Sequence, residues 1–319
     1  MKRIGVLTSG GDAPGMNAAI RSVVRCALFH QLEVMGIYRG YAGLLKDEID
    51  PLNHRSVSNI LNRGGTVLKT DRSEEFKTEI GQKKAVEIVK KHGIDALVLI
   101  GGDGTYAGGQ TLTTQWNIPC IGLPGTIDND IRGTDFTIGS DTAVNTALEA
   151  IDKIRDTATS MERIFVVEVM GNKSGYIAMQ VALGGGAEDV LIPEREFDIS
   201  SMERDITEGY KRGKMSWIII VAEGAGKAGD IAEEITNKTG LETRVTVLGH
   251  VQRGGTPTAN DRILATRLGA AAVELLIKGE IGKVVGVVAD KINTVDFKTA
   301  CEKKVHALDE LYKLSRILT

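Results

Sequence analysis

Short apolar runs alternate along the chain with glycine clusters and helical patterns. Apolar residues 4–7 precede a Gly-Gly-Asp cluster, and residues 96–100, 164–169 and 218–221 each lead into glycine in the same way. Continuous apolar runs are typical of strands that are buried on both faces of a parallel sheet. Their alternation with helices predicts an α/β fold with two doubly wound domains, whose mostly parallel sheets are flanked by helices. Because ligands of such sheets bind at the carboxyl ends of strands, the glycine clusters mark candidate sites.

Composition adds an excess of glycine and excludes some functions. Glycine accounts for 38 of 319 residues but proline for only 6, which favours turns and close backbone approaches over linkers. The length suggests about two domains. A net charge of -3 and an aromatic content of 4% argue against a nucleic-acid partner.

Nothing in the sequence predicts a membrane partner or a secretory leader. The longest apolar runs are far shorter than a membrane span, and the apolar stretch at residues 4–7 is too short for a signal core. The three cysteines, Cys26, Cys120 and Cys301, are odd in number and unpatterned, which is typical of a reducing compartment. A cytoplasmic location is therefore expected.

The segment Gly101-Gly102-Asp103-Gly104-Thr105 has the features of a phosphate-binding turn. Its glycines let backbone N–H groups approach phosphate oxygens, and a helix starting there would present its N-terminus to the anion. Asp103 would then hold Mg²⁺ on the phosphates. The alternative is a tight strand-to-helix turn with Asp103 as its cap.

Residues 125–130 read Gly-Thr-Ile-Asp-Asn-Asp and offer two carboxylates. In an extended segment, Asp128 and Asp130 would point the same way, and one of them could accept a proton from a substrate hydroxyl. Spacing alone favours the alternative, an Asx turn.

Further candidates lie in other loops. Residues 9–15 form a second glycine-rich loop behind a strand, and Glu168 and Glu223 stand at strand ends, where a carboxylate binds sugar hydroxyls or caps a helix. His250 and Arg253 share a glycine-rich loop, and a guanidinium binds phosphate through two hydrogen bonds. Arg21 and Arg25 fall at i and i+4, which by itself usually means a solvated helix face. The Cys/His spacing of a structural zinc site is absent.

Together these segments resemble the bacterial ATP-dependent 6-phosphofructokinases. The resemblance is carried by residues 7–17 (LTSGGDAPGMN), 101–105, 124–130, 170–171 and 249–255, and it extends in order from Lys2 to about Leu276. The segment Pro-Gly-Thr-Ile-Asp-Asn-Asp is very specific, whereas Gly-Gly-Asp-Gly also occurs in NAD and lipid kinases.

The resemblance implies a Mg²⁺-assisted glycolytic enzyme that transfers the γ-phosphoryl group of ATP to the 1-hydroxyl of fructose 6-phosphate. Asp128 matches the family's general base, with Thr126 and Asp130 beside it, Arg72 bracing transition-state charge and Asp103 holding the metal. The positions that match ATP contacts are Gly11, Tyr41, Arg72, Ser73, Gly102, Asp103, Gly104 and Thr105. Those that match the fructose 6-phosphate pocket are Thr126, Asp128, Arg163, Met170, Gly171, Glu223, Arg244, His250 and Arg253.

The resemblance also implies assembly, regulation and discontinuous domains. Arg163 and Arg244 match arginines that the family supplies from a neighbouring subunit, which implies a homotetramer with shared active sites. A second site for ADP or phosphoenolpyruvate is matched by Arg21, Arg25, Arg55, Arg155, Glu188, Arg212 and Lys214. We expect residues 1–138 plus about 252–305 to bind ATP, and residues 139–251 plus about 306–319 to bind fructose 6-phosphate.

Several residues bear on the phosphoryl donor and on activity. Pyrophosphate-dependent relatives usually carry Asp at Gly104 and Lys at Gly125, so the two glycines favour ATP. The chain departs from the family pattern at the effector positions Ser216 and Asn59, and in or near the active site at Asp71, Glu74, Met161, Asn172 and Tyr176. Asp71 and Glu74 suggest a local ion pair with Arg72. We expect catalysis to survive these changes with altered affinity, and the changes at Ser216 and Asn59 to bear on the effector response.

Two other functions fit part of the sequence. NAD kinases share Gly-Gly-Asp-Gly but carry a downstream Asn-Glu pair, and no Asn-Glu dipeptide occurs in this chain. A non-catalytic sugar-phosphate sensor on the same fold is favoured by the changes around Arg72 and Asn172, and disfavoured by the presence of Asp103 and Asp128.

Overall fold

The structure, a computed structural model, describes residues 1–318. In chain order the strands and helices are β1 (Arg3–Thr8), α1 (Met16–Phe29), β2 (Glu33–Ile37), α2 (Gly40–Leu45), β3 (Ile49–Leu52), α3 (Glu79–Lys91), β4 (Ala96–Gly101), α4 (Asp103–Trp116), β5 (Cys120–Pro124), α5 (Ser140–Met161), β6 (Ile164–Val169), α6 (Tyr176–Gly185), β7 (Asp189–Leu191), α7 (Ile199–Lys211), β8 (Trp217–Ala222), α8 (Ala228–Thr239), β9 (Thr243–Val247), α9 (Ala259–Ile277), β10 (Lys283–Val288), β11 (Lys291–Asp296), α10 (Phe297–Ala300) and α11 (Leu308–Leu318). Single 3-10 turns cover Glu75–Lys77 and Gly249–Arg253.

The chain forms two compact units, each assembled from separate segments. The first unit contains Met1–Thr142 and Arg253–Lys304, and the second contains Ala143–Gln252 and the residues from Val305 onward. The assignment of ATP to one unit and of fructose 6-phosphate to the other stays a prediction.

The first unit is built on a mixed sheet in the order β11-β10-β5-β4-β1-β2-β3. Its centre, from β10 to β2, is parallel, while β11 and β3 pair antiparallel at the two edges. The central strand β4 is buried along its whole length, as its continuous apolar run predicts. Because β1, β4 and β5 are neighbours, the loops after these three strands meet at one edge of the sheet.

The second unit is built on a parallel sheet in the order β7-β8-β6-β9. Strand β8 is buried throughout, whereas the edge strand β9 is largely exposed. The predicted α/β class with doubly wound, mostly parallel sheets is thus confirmed. Within residues 1–318, no helix combines the length and the apolar character that a membrane span requires.

Candidate active site

Two glycine-rich loops lie side by side in the first unit. The Ser9 N–H donates to the Ile100 carbonyl oxygen (3.0 Å), and the Thr105 hydroxyl donates to the Ser9 carbonyl oxygen (3.1 Å). The loop after β1 is therefore joined to the loop after β4. The structure brings together the two candidate phosphate-binding segments that the sequence predicts separately.

The loop after β4 leaves open space in front of its backbone. A Cβ added at Gly102 or at Gly104 would meet no atom of the described chain within 4 Å, whereas at Gly101 it would lie 2.4 Å from the Ser9 carbonyl oxygen. Gly102 is the N-cap of α4, so the first N–H groups of this helix face the open region. An anion placed there would meet N–H donors and the positive end of the helix dipole.

Asp103 is the first residue of α4 and remains exposed. Its carboxylate accepts a hydrogen bond from the Gly104 N–H (2.6 Å), which meets part of the predicted capping role. Because Gly102 occupies the cap position itself, the carboxylate keeps oxygen lone pairs directed to solvent.

The loop after β5 carries the two candidate carboxylates. It is folded, whereas the prediction that both carboxylates point the same way required an extended segment. The Thr126 hydroxyl accepts a hydrogen bond from the Asp128 N–H (3.2 Å), and Asn129 adopts a left-handed backbone with φ 50°. The turn is therefore made by the side chain of Thr126 rather than by an aspartate. Asp128 and Asp130 are both half-buried on this short, folded loop.

The electrostatics of this loop link it to Asp103. Burial raises the pKa of Asp130, and the negative charge of Asp103 raises it further, while Lys304 and the Thr126 hydroxyl act in the opposite direction. Gly125 N–H also donates to the Gly101 carbonyl oxygen (3.0 Å), so the two loops are joined at their bases. Both groups of acidic side chains thus share one negatively charged region of the first unit.

Lys304 is a residue of this region that sequence reasoning missed. Its ammonium group donates to the Asn129 side-chain oxygen (2.9 Å) and to the Asp135 carbonyl oxygen (3.1 Å), and the Asn129 amide donates to the same carbonyl (3.0 Å). Burial lowers the pKa of Lys304 to about 8, although Asp135 and Asp130 act in the opposite direction. In sequence it is one of two consecutive lysines outside any motif, so no local signal distinguishes it.

Two of the predicted ligand residues are already engaged inside the first unit. Tyr41 is buried, stacks on Phe76 with ring centroids 4.0 Å apart, and donates its hydroxyl hydrogen to the Thr105 carbonyl oxygen (2.7 Å). Arg253 lies against Gly11, where an added Cβ would be 2.0 Å from the guanidinium. Tyr41 thus holds the loop after β4 through its hydrogen bond to Thr105, and the absence of a side chain at Gly11 leaves room for Arg253.

Arg72 is exposed, and its local environment differs from the ion pair that the sequence suggests. The Asp71 carboxylate accepts a hydrogen bond from the Arg72 backbone N–H (2.8 Å), and Glu74 pairs with Lys77 (2.7 Å). The Ser73 hydroxyl accepts the Phe76 N–H (3.1 Å) and so caps the 3-10 turn. In the described part of the chain the guanidinium of Arg72 forms no salt bridge, because each flanking acid has another donor.

In the second unit, Glu223 ties together the loops after β6 and β8. Its carboxylate accepts hydrogen bonds from the N–H groups of Gly171 (3.2 Å) and Asn172 (2.7 Å). The two loops approach so closely that a Cβ at Gly224 would lie 2.1 Å from the Asn172 carbonyl oxygen. Glu168, by contrast, accepts the Ala228 N–H (2.8 Å) at the start of α8, which is the helix-capping alternative.

A second residue that sequence reasoning missed holds the same loop from the other side. The buried Gln252 accepts a hydrogen bond from the Met170 N–H through its side-chain oxygen (2.9 Å). Its amide nitrogen has no hydrogen-bond partner among residues 1–318. His250, two residues earlier, is exposed. Tyr176, at the start of α6, packs its ring 5.2 Å from that of His306.

The two arginines expected to act across a subunit boundary lie together at the edge of the second sheet. Arg163 pairs with Glu242 (2.8 Å), and Arg244 pairs with the same carboxylate. Met161 directs its sulfur toward the guanidinium of Arg163 (3.7 Å). Each arginine is therefore held near β9 by one shared acid, which was not a candidate residue.

The expected effector residues divide between the units. In the first unit, Arg25 donates to the His54 carbonyl oxygen (3.4 Å), Arg21 is half-buried and Arg55 is exposed, as is Asn59. In the second unit, the buried Glu188 receives Lys214 (3.3 Å) and Arg155 (3.8 Å), and Arg155 also donates to the carbonyls of Gly185 and Gly186. Arg212, which directly follows α7, pairs with Glu208 of that helix (3.0 Å), and Ser216 is half-buried.

Comparisons with known proteins agree with this arrangement. A family model described as Phosphofructokinase matches residues 3–276. The chain is 54% identical over 331 residues to the ATP-dependent 6-phosphofructokinase of Halothermothrix orenii, and 57% identical over 320 residues to that of Bacillus cytotoxicus. Both alignments cover 100% of each protein.

The fold is also similar to that of a solved structure. The phosphofructokinase of Saccharomyces cerevisiae superposes with a TM-score of 0.86 at 36% sequence identity. This alignment covers 99% of the present chain and 46% of the yeast chain, so the chain spans about half the length of that relative.

Proposed function

This chain belongs to the phosphofructokinase family, and on that premise we propose that it transfers the γ-phosphoryl group of ATP to the 1-hydroxyl of fructose 6-phosphate. The observation that carries the proposal is the pairing of the open glycine turn at Gly102 and Gly104 with the folded carboxylate loop after β5. ATP is favoured as donor because the bacterial relatives that align over their full lengths are named for it.

Asp128 is the general base of this proposal. A carboxylate accepts the proton of a sugar hydroxyl as that oxygen attacks phosphorus. The Thr126 hydroxyl fixes the backbone of Asp128, and burial together with the negative charge of Asp103 raises the pKa of the Asp130 carboxyl. Two carboxyl groups in different environments can thus take different roles on one loop.

The residues of the first unit fit Mg²⁺, the divalent ion that phosphoryl transfer from ATP requires. Mg²⁺ is usually bound by one or two carboxylates together with water and phosphate oxygens, and the exposed carboxylate of Asp103 supplies the first of these. When bound, the ion would neutralise phosphate charge as the transfer proceeds. The N–H groups at the start of α4 and the guanidinium of Arg72 would contribute to the same neutralisation.

The second unit supplies the sugar-phosphate ligands. The carboxylate of Glu223, which orders the Gly171 and Asn172 backbone, has lone pairs left for sugar hydroxyls. Arg163, Arg244 and His250 are donors for the 6-phosphate, and Arg253, in the first unit, stays a predicted phosphate ligand. Asn172 stands where the family has arginine, so we expect fewer charge-assisted contacts and a weaker affinity for fructose 6-phosphate.

A homotetramer with shared active sites follows from the same proposal. Strand β9 is an unpaired edge that carries Arg244, and Val247 is 58% exposed on it. An exposed apolar edge strand favours association with another chain. Each unit carries basic residues that would contribute to binding an anionic effector such as ADP or phosphoenolpyruvate. In the second unit these are Arg155 and Lys214 around Glu188, and in the first unit they are Arg21, Arg25 and Arg55. A cytoplasmic location remains a prediction from the cysteine content.

The proposal is tested by product formation from fructose 6-phosphate with Mg²⁺, comparing ATP with pyrophosphate as donor. We expect fructose 1,6-bisphosphate with ATP alone, and a loss of turnover of about 10²–10⁴-fold or more in Asp128→Asn. Asp141→Asn serves as a matched carboxylate variant outside the loop. Absence of product with either donor, in folded protein that still binds fructose 6-phosphate, would favour a sugar-phosphate sensor instead.

A further inference from the structure

Helices α1 and α9 of the first unit pack in parallel with a constant register. The Ser22 hydroxyl donates to the Thr266 carbonyl oxygen (2.6 Å), and one turn later the Cys26 thiol lies 3.8 Å from the Ala270 carbonyl oxygen. A further turn on, the His30 ring nitrogen Nε2 lies 3.0 Å from a Glu274 carboxylate oxygen. Each step advances four residues on both helices, so the contacts form a ladder along one seam.

The seam is close because one of its residues has no side chain. A Cβ added at Gly269 would lie 2.7 Å from the Ser22 Cβ and 2.9 Å from the Ala19 carbonyl oxygen. The backbones are therefore held at a fixed separation at the start of the seam. This fixes the positions of the side chains that project from its last two turns.

Those last two turns bring three metal-ligating atoms together. The Cys26 sulfur, a His30 ring nitrogen and a Glu274 carboxylate oxygen all lie within 4.8 Å of one another. In a tetrahedral zinc site, bond lengths of about 2.0–2.3 Å place the donors about 3.3–3.8 Å apart. Small rotations of side chains at a half-buried position would bring the three donors to that spacing.

The local charges also favour a cation. Helix α1 ends at Phe29, one residue before His30, and α9 ends at Ile277, so the cluster lies at the negative ends of two parallel helix dipoles.

We propose that Cys26, His30 and Glu274 form a binding site for one thiophilic divalent cation of the zinc class, with water as the fourth ligand. The donor set of thiolate, imidazole and carboxylate suits Zn²⁺. It does not suit Mg²⁺, which prefers oxygen ligands alone. The site contains none of the residues assigned to the phosphoryl transfer. Its function is to lock the ends of α1 and α9 together.

The test is a titration of the chelator-treated full-length protein with Co²⁺, followed by displacement with Zn²⁺. Cobalt reports the ligand directly, because a thiolate bound to Co²⁺ gives a charge-transfer absorption band in the near ultraviolet. We expect one equivalent to produce this band and Zn²⁺ to abolish it. Cys26→Ser should remove the band, whereas Cys301→Ser, which removes the exposed cysteine, should retain it.

Affinity measurements on the other two ligands complete the test. His30→Asn and Glu274→Gln should each weaken Zn²⁺ binding by at least about 10-fold in competition with an indicator dye. If circular dichroism shows that Cys26→Ser does not fold, Glu274→Gln carries the test, because the Glu274 side chain is only half-buried, with 47% of it exposed. A band that survives in folded Cys26→Ser, or no thiolate band at stoichiometric Co²⁺, would overturn the proposal.

Discussion

Replacing Lys304 with methionine tests how the carboxylate loop is held in place. The substitution keeps the length of the aliphatic side chain and removes the ammonium group. It deletes the hydrogen bonds to the Asn129 side chain (2.9 Å) and to the Asp135 carbonyl oxygen (3.1 Å). The loop that carries Asp128 would then keep only the Asn129–Asp135 contact and the Thr126 turn.

The expected magnitude follows from these two bonds. A hydrogen bond from a charged donor contributes about 1.5–3 kcal/mol when buried, and Lys304 is only half-buried, so we take about 1.5 kcal/mol for each. Since about 1.4 kcal/mol is tenfold in an equilibrium constant, losing one or both bonds lowers the equilibrium constant for loop ordering by about 10–100-fold. We expect kcat to fall by up to this factor.

Steady-state kinetics with ATP and fructose 6-phosphate check the prediction. The KM for ATP should change little, because Lys304 contacts the loop after β5 and not the glycine turn at Gly102. Lys304→Arg should recover part of the kcat, whereas Lys303→Met, at the exposed neighbouring lysine, should match the wild type. A kcat within twofold of wild type in folded Lys304→Met would refute the positioning role of this lysine.

Three further substitutions test the affinity for fructose 6-phosphate, the affinity for ATP and the dependence of stability on pH. Asn172→Arg should lower the KM for fructose 6-phosphate by restoring a charge-assisted phosphate contact, and an unchanged KM would show that the lost charge does not matter. Gly104→Asp should raise the KM for ATP at least about 10-fold, because the negative charge repels the phosphates of ATP. The melting temperature should not change, because the space in front of Gly104 accommodates the side chain. Gly104→Ala is the uncharged control. Burial raises the pKa of Asp189 to about 6 despite its ion pair with Arg316, so the folded state binds this proton more tightly than the unfolded chain. This proton contributes at most about 3 kcal/mol to the free energy of unfolding. The contribution is complete below about pH 4 and is lost as the pH rises through 6. Between pH 4 and pH 7, denaturant unfolding should show that the wild type loses this free energy of unfolding relative to Asp189→Asn. If the unfolding free energies of the two proteins changed in parallel with pH, the prediction would be wrong.

Local patterns in the sequence determined the fold class and the site-bearing loops. A strand buried on both faces needs a continuous apolar run, and the turn behind it needs glycine where backbone groups must approach one another. Both requirements are met within a few neighbouring residues, so the strands β1, β4, β6 and β8 and the loops after them are readable without the tertiary structure. The resemblance to the phosphofructokinases then follows from the order of these loops.

The residues that hold those loops were decided only by the tertiary structure. Lys304 lies 175 positions from Asn129, and Gln252 lies 82 positions from Met170, so no local spacing relates either pair. The segment 125–130 bends because the Thr126 hydroxyl accepts the backbone N–H of Asp128. The spacing of the two carboxylates did not indicate this bend. Cys26, His30 and Glu274 meet because two helices pack in parallel with a fixed register. Such partners depend on how distant segments pack, since packing, rather than sequence proximity, sets which side chains meet.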